Sequence, residues 1–161
     1  MKPFLDYLEK RKQDRGVMAD LRCALIPAKR FRAYPYLARF GGIDSPNARV
    51  IQTIAGLYAH HPVTASTGNI GLLCSRMCSK EEDRTTGAMA KRFQYLLAAS
   101  REEICERIIR IILRAKAERL AVNYQQLYTD LLYWNDRVKT RWAAAFWGPA
   151  KEVDDALSEQ G

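Results

Sequence analysis

Val50 to Ser75 runs for 26 residues without a formal charge, and no other stretch restricts the fold as much. Its length matches a membrane span, which needs about 20 apolar residues. Its content does not. Gln52, Thr53, His60, His61, Pro62, Thr64, Ser66, Thr67 and Asn69 all lie inside it. The His-His-Pro break divides the run into two amphipathic pieces, each too short to cross a bilayer. Such a segment belongs in the middle of a folded domain, with the rest of the chain wrapped around it.

What surrounds it reads as helix. Pro3 suits the first turn of a helix over Phe4–Lys12, with Phe4, Leu5 and Leu8 on one side. A second helix over Val17–Ile26 stops at Pro27, and a short one over Tyr34–Phe40 closes on Gly41-Gly42. Ser45-Pro46 pairs a cap residue with proline at the first helical position. The helix it opens carries Val50, Ile54, Leu57 and Tyr58 and ends before Pro62. Gly68–Met77 follows, capped by Thr67. Lys80–Gly87 is polar and charged, a hinge ending in a Thr86 cap for Ala88–Ala99. Ser100 with Glu103 forms the capping box of a long helix to Arg119. Asn123–Trp134 and Asp136–Trp147 complete the set, the last closed by Gly148-Pro149.

No alternating strand pattern, internal repeat or low-complexity tract interrupts this series. The expected fold is all-α, a two-lobed helical bundle. One domain spans residues 1–150, with lobes at about 1–80 and 88–148 around the hinge at 80–87. Residues 151–161 read as a mobile acidic tail.

The chain has 161 residues, 48% hydrophobic and 27% charged, ordinary proportions for a domain that buries a core. Cys23, Cys74, Cys78 and Cys105 show neither CxxC pairs nor nearby histidines, so they read as buried thiols rather than a metal site. No signal peptide precedes them, and a reducing cytoplasm is the expected compartment. No phosphate loop, dinucleotide fingerprint or HExxH appears. His60 and His61 stand at a helix end, where imidazole complements the dipole. Glu81-Glu82-Asp83 and Asp154-Asp155 lie in solvated runs. The sequence supports neither an enzyme nor a cofactor, and no membrane association.

Charge is the functional signal. Residues 1–49 hold 11 basic and 5 acidic side chains, and residues 84–119 hold 9 and 4, whereas the rest is slightly acidic. Localised positive charge is the footprint of a polyanion binder. At about 100° per residue, Ile104, Ile108, Ile111 and Ala115 form one face of the long helix. Arg107, Arg110 and Arg114 cluster away from it, either as a row for successive phosphates or as a solvated face paired with Glu103 and Glu106. Arg101 and Lys91-Arg92 lie beside the cap between two helices, where their side chains would converge on one strand. Arg22 and the Lys29-Arg30-Phe31-Arg32 run are the candidates in the first basic stretch. Lys10-Arg11-Lys12 reads as decoration of a helix end. Trp134, Trp142 and Trp147, with Tyr128, Tyr133 and Phe146, read as core.

Arg92-Phe93-x-x-Leu96-Leu97-Ala98-Ala99-Ser100-Arg101, then Arg110, then Leu131-Leu132-Tyr133-Trp134 resembles the CasB family, small subunits of the type I-E CRISPR Cascade surveillance complex. Tyr34-Pro35-Tyr36 and the Thr67-Gly68…Ser75-Arg76 segment resemble its N-terminal half, and the likeness spans about residues 4–147. The resemblance implies a non-catalytic, cofactor-free helical protein of antiviral defence. It also implies two copies arranged head to tail beside the backbone subunits that hold the guide RNA, near the large subunit. Such subunits hold CRISPR RNA and target DNA by the phosphate backbone and stabilise the R-loop and its displaced strand. Arg22, Arg49, Arg92, Arg101, Arg110 and Arg137 match basic positions of the family. Asn135-Asp136 replaces a segment often strongly basic in relatives, and Ala98 is neutral where the family can be basic. Two alternatives stand beside this reading: a helical DNA-binding transcriptional regulator and a protein-only scaffold.

Overall fold

The computed structural model describes residues 2–149, so the acidic tail lies outside the described residues. Nine α-helices appear among them: α1 (Lys2–Lys10), α2 (Arg15–Arg22), α3 (Tyr34–Leu37), α4 (Ala48–His60), α5 (Ile70–Arg76), α6 (Ala88–Leu97), α7 (Ile104–Ala117), α8 (Tyr124–Leu132) and α9 (Asp136–Trp147). Short 3₁₀ turns cover Cys23–Leu25, Pro27–Arg32 and Ala38–Phe40. No strand forms among the described residues, and one parallel bridge joins Thr64 to Val122. The fold is all-α.

The uncharged stretch explains the architecture. Every residue of α4 from Val50 to Ala59 is buried, as an apolar helix requires when neighbours surround it. α2, α7 and α8 pack directly on it. Its polar atoms are accommodated locally: Gln52 Nε2 donates to the Gly42 carbonyl at 2.8 Å and the Thr53 hydroxyl to the Arg49 carbonyl at 2.7 Å. α5, the second piece of the stretch, packs against α9. The two approach so closely at Gly71 that a Cβ there would meet the Trp142 carbonyl. One continuous core runs from Phe4 in α1 to Phe146 in α9, through both halves of the chain. Trp142 is fully buried and donates to Asp130 at 2.8 Å, and Trp134 donates to the Ala99 carbonyl at 2.9 Å. Trp147 remains partly exposed, its indole on the Arg84 carbonyl.

Several helix ends differ from the sequence expectation, each for a local reason. Ser45 does not cap α4. Its hydroxyl donates to the Gly41 carbonyl and accepts from the Asn47 N–H, so the helix begins two residues later. α5 is capped by Asn69 rather than Thr67, its side chain accepting from Leu72 N at 3.1 Å. α2 ends at Arg22, and tighter 3₁₀ turns carry the chain on. Before α6 the capping is done by carboxylates, not by Thr86: Asp83 accepts from the N–H groups of Thr85 and Thr86, and Glu82 from Met89 N. The Lys80–Gly87 segment is thereby braced, with Arg84 also bonded to the Ser75 hydroxyl and the Phe146 carbonyl. Only the glutamate half of the Ser100 box forms, Glu103 accepting from Ser100 N at 3.0 Å. α7 starts at Ile104.

Candidate nucleic-acid interface

α7 divides the basic residues. Its buried stripe faces α4 and α6, and cations stand on both flanks of it. On the α4 flank, α4 packs on α7, and Arg49 at the N-terminal end of α4 is close enough to Cys105 for its charge to act on that thiol. Burial raises the Cys105 thiol pKa, while the Thr53 hydroxyl and the charges of Arg49 and Arg101 oppose that rise. Arg49 and Arg101 therefore both lie within electrostatic reach of Cys105 although 51 residues separate them in the chain. Arg30 belongs to the same group. Burial lowers its pKa first, and the charge of Arg49 lowers it further. Its Nε is anchored on the Ala24 carbonyl at 2.8 Å.

No carboxylate answers these three guanidiniums. Among the described residues the only ion pair is Glu103–Arg107. The Arg49 Nη1 is buried without a hydrogen-bond partner. A buried unsatisfied donor costs about 1–3 kcal/mol, more when charged, and an incoming oxyanion would offset this cost once the Arg49 side chain turns outward to meet it. At the other end of α4, Arg22 Nη1 donates to the Ala59 carbonyl at 3.2 Å. His60 beside it has its pKa lowered by burial, then by the charges of Lys116 and Arg22. The α4 flank thus carries unpaired cations at both ends of a helix about 20 Å long.

The α6 flank is built differently. A groove of about 710 Å³ runs between α6 and α7. Arg92, Arg110 and Arg114 line it, but so do Glu103, Glu106 and Glu118, over a floor of Leu96, Ile111 and Ala117. Arg107 is already engaged within the molecule. It does not stand free in a row with Arg110 and Arg114: its Nη2 meets Glu103 Oε2 at 2.6 Å, its Nη1 donates to the Tyr95 carbonyl at 2.7 Å, and its guanidinium carbon lies 3.9 Å from the Tyr95 ring centre. The groove places Arg92 with Arg110, and Arg101, one turn before Cys105, is near enough to that thiol for its charge to act on it. Lys29, Lys91 and Arg137 are exposed, on a 3₁₀ turn, on α6 and at the start of α9. Phe93 is core, stacked on Phe146 at 4.4 Å, whereas Tyr95 is exposed, as are Phe31 and Tyr133, the last against the expectation that it is core.

The acids account for much of this. Asp14 caps α2 and Asp130 is held inside by Trp142 and Gln126. Glu9 accepts from the Tyr58 hydroxyl. Backbone N–H groups hold Glu82, Asp83 and Glu103 below the usual carboxylate range. Carboxylates engaged in structure leave arginines without partners. No cluster of His, Cys, Asp and Glu among the described residues is arranged to hold a metal, and none of their helices is long and apolar enough to cross a membrane.

A model of the CRISPR-associated protein Cse2 family matches residues 17–147. The chain belongs to that family. Solved structures with the Cse2 fold agree. The CasB protein of Thermus thermophilus superposes with a TM-score of 0.72 at 23% identity, covering 92% of this chain and 97% of that one. A Thermus thermophilus structure described as a CRISPR-associated protein of the Cse2 family gives 0.71 at 23% identity, with the same coverage. The M. ruber CasB gives 0.66 at 20% identity, covering 99% and 97%. No curated protein matches the chain.

Proposed function

We propose that this Cse2-family protein is the non-catalytic small subunit of a type I-E Cascade complex, and that it holds nucleic-acid backbone along the α4 flank of α7. Arg30, Arg49 and Arg101 are the primary contacts, with Arg22 at the far end. The observation that carries the reading is a set of guanidiniums without carboxylates, one of them with a buried N–H lacking any acceptor. Replacing a DNA duplex by an RNA–DNA hybrid is nearly balanced in free energy, so contacts to the displaced strand decide whether the opened state persists. Such contacts need read no bases. The cations are not consumed by internal ion pairs, which weighs against a protein-only scaffold.

The α6–α7 groove supports a second role for a different surface of the same protein. Its interleaved acids and bases over an apolar floor, with Tyr95 at 58% exposure, suit a protein neighbour: a backbone or large subunit, or a head-to-tail copy. The test is an R-loop assay on the assembled complex carrying R49Q/R101Q. The expected result is loss of stable target opening with assembly intact. Opening equal to the parent refutes the strand-holding role of that flank.

A further inference from the structure

A second cationic pocket stands where α1 meets the 3₁₀ turn Ala38–Phe40, lined by none of the arginines named on the flanks of α7. Pro3, Asp6, Tyr7, Lys10, Arg11 and Arg39 line a surface cavity of about 480 Å³. The guanidinium carbon of Arg39 lies 4.4 Å from the centre of the Tyr7 ring and 4.8 Å from that of Phe40. That of Arg11 lies 5.0 Å from the same Tyr7 ring. Two positive charges against one ring are within roughly 10 Å of each other, about one Debye length at 0.1 M salt, so each disfavours the other.

Neighbouring acids do not relieve this. Asp6 stands at the wall without forming an ion pair to either cation. Glu9 is engaged by the Tyr58 hydroxyl at 2.6 Å and Asp20 by the Tyr36 hydroxyl at 3.0 Å. The side chains of Tyr7, Lys10, Arg11 and Arg39 make no hydrogen bond among the described residues. The ring beneath them is firmly seated: Tyr7 packs on Phe40 at 5.3 Å, and Phe40 on the buried Phe4 at 5.2 Å. Guanidiniums laid against aromatic rings keep their N–H edges directed outward in a planar fork.

We infer that this corner is a backbone subsite for a nucleic-acid strand, in which Arg11 and Arg39 together grip one phosphodiester while the Tyr7 ring beneath them holds their forks in place. A phosphodiester offers acceptors to two forks at once, and the net charge of +8 favours a polyanionic strand over an isolated anion. The inference deepens the strand-holding reading and takes from it only the class of ligand. It gives the protein an anchor for the strand beyond the α4 flank, so that one copy grips at two separated places.

The test uses the full chain and a fluorescent oligo-dT carrying 5-iodouracil. Binding is followed by anisotropy over a salt series for the parent, R11Q/R39Q and R49Q/R101Q, and adducts are mapped by mass spectrometry. The subsite predicts an adduct in the pocket wall in the parent, and a log–log salt slope reduced by about 0.7 in R11Q/R39Q. If R11Q/R39Q melts early, R11K/R39K takes its place, with the slope retained and affinity reduced by loss of the fork. An unchanged slope and no adduct in the pocket wall overturns the subsite, as does stronger competition by poly-glutamate than by oligo-dT of equal charge. Loss in R49Q/R101Q alone removes only the subsite. Loss in R11Q/R39Q alone keeps the subsite and removes the α4 flank.

Discussion

The two flanks of α7 carry comparable numbers of arginines and differ in their acids. Along α4, Arg30, Arg49 and Arg101 gather with no carboxylate ion-paired to them, and one N–H is left buried and unsatisfied. Along α6, Arg92, Arg107, Arg110 and Arg114 alternate with Glu103, Glu106 and Glu118, and Arg107 is fully engaged. A count of arginines does not separate these surfaces. The groups already bonded to them do, because a phosphate competes with whatever acceptor is present. On the proposed reading, the α4 flank is the anion site and the α6 flank the protein contact.

The largest expected effect lies on the α4 flank. R49Q/R101Q removes two charge-assisted contacts and is predicted to weaken single-strand affinity on the order of 100-fold at low salt, with an unchanged circular dichroism spectrum. R110Q/R114Q is predicted to cost only about threefold, since neighbouring glutamates already dilute that field. Equal losses in anisotropy titrations would abolish the distinction between the flanks. The converse variant sharpens it: E106Q/E118Q removes the dilution and should tighten single-strand binding about threefold. Both positions are exposed, so the melting temperature should not move.

Smaller effects follow from titration. His60 has a pKa held below the imidazole range by burial and by Lys116 and Arg22. A phosphate arriving at that end of α4 would raise it, so binding takes up a proton. Affinity should therefore increase as pH falls from about 7.5 to about 5.5, and H60Q should flatten the profile. Acid acts on the other flank. The folded-state pKa values of Glu82, Asp83 and Glu103 are depressed, chiefly by backbone N–H donors. Their contribution to stability is complete above the unfolded carboxylate value near pH 4 (about 4 for model carboxylates) and is lost as pH falls through the folded values. Thermal melting across that range should show a steady decline, and a flat profile would contradict these caps.

Much of the fold was legible because helices announce their ends. α9 occupies Asp136–Trp147 as its Gly148-Pro149 stop indicates, and the two helices of the uncharged stretch lie in the core while the link between them at residues 63–67 is largely exposed. Where a cap residue had another use, as with Ser45 and Gly41, the boundary moved. The site was less legible. Arg49 and Arg101 are joined only by the packing of α4 on α7, which no local pattern reports. Arg107 carried its own warning in Glu103, four residues earlier. Arg11 stands four residues after Tyr7 at the end of the same helix, but Arg39 gave no sequence signal beyond charge, because its ring partner lies on a different element.

Arginine Nε–H resonances, followed during titration with oligo-dT, test the central claim most directly. The α4-flank account predicts large shifts for Arg49 and Arg101, small ones for Arg110 and Arg114, and none for Arg107. Large shifts at Arg110 and Arg114 with Arg49 and Arg101 unmoved would contradict it.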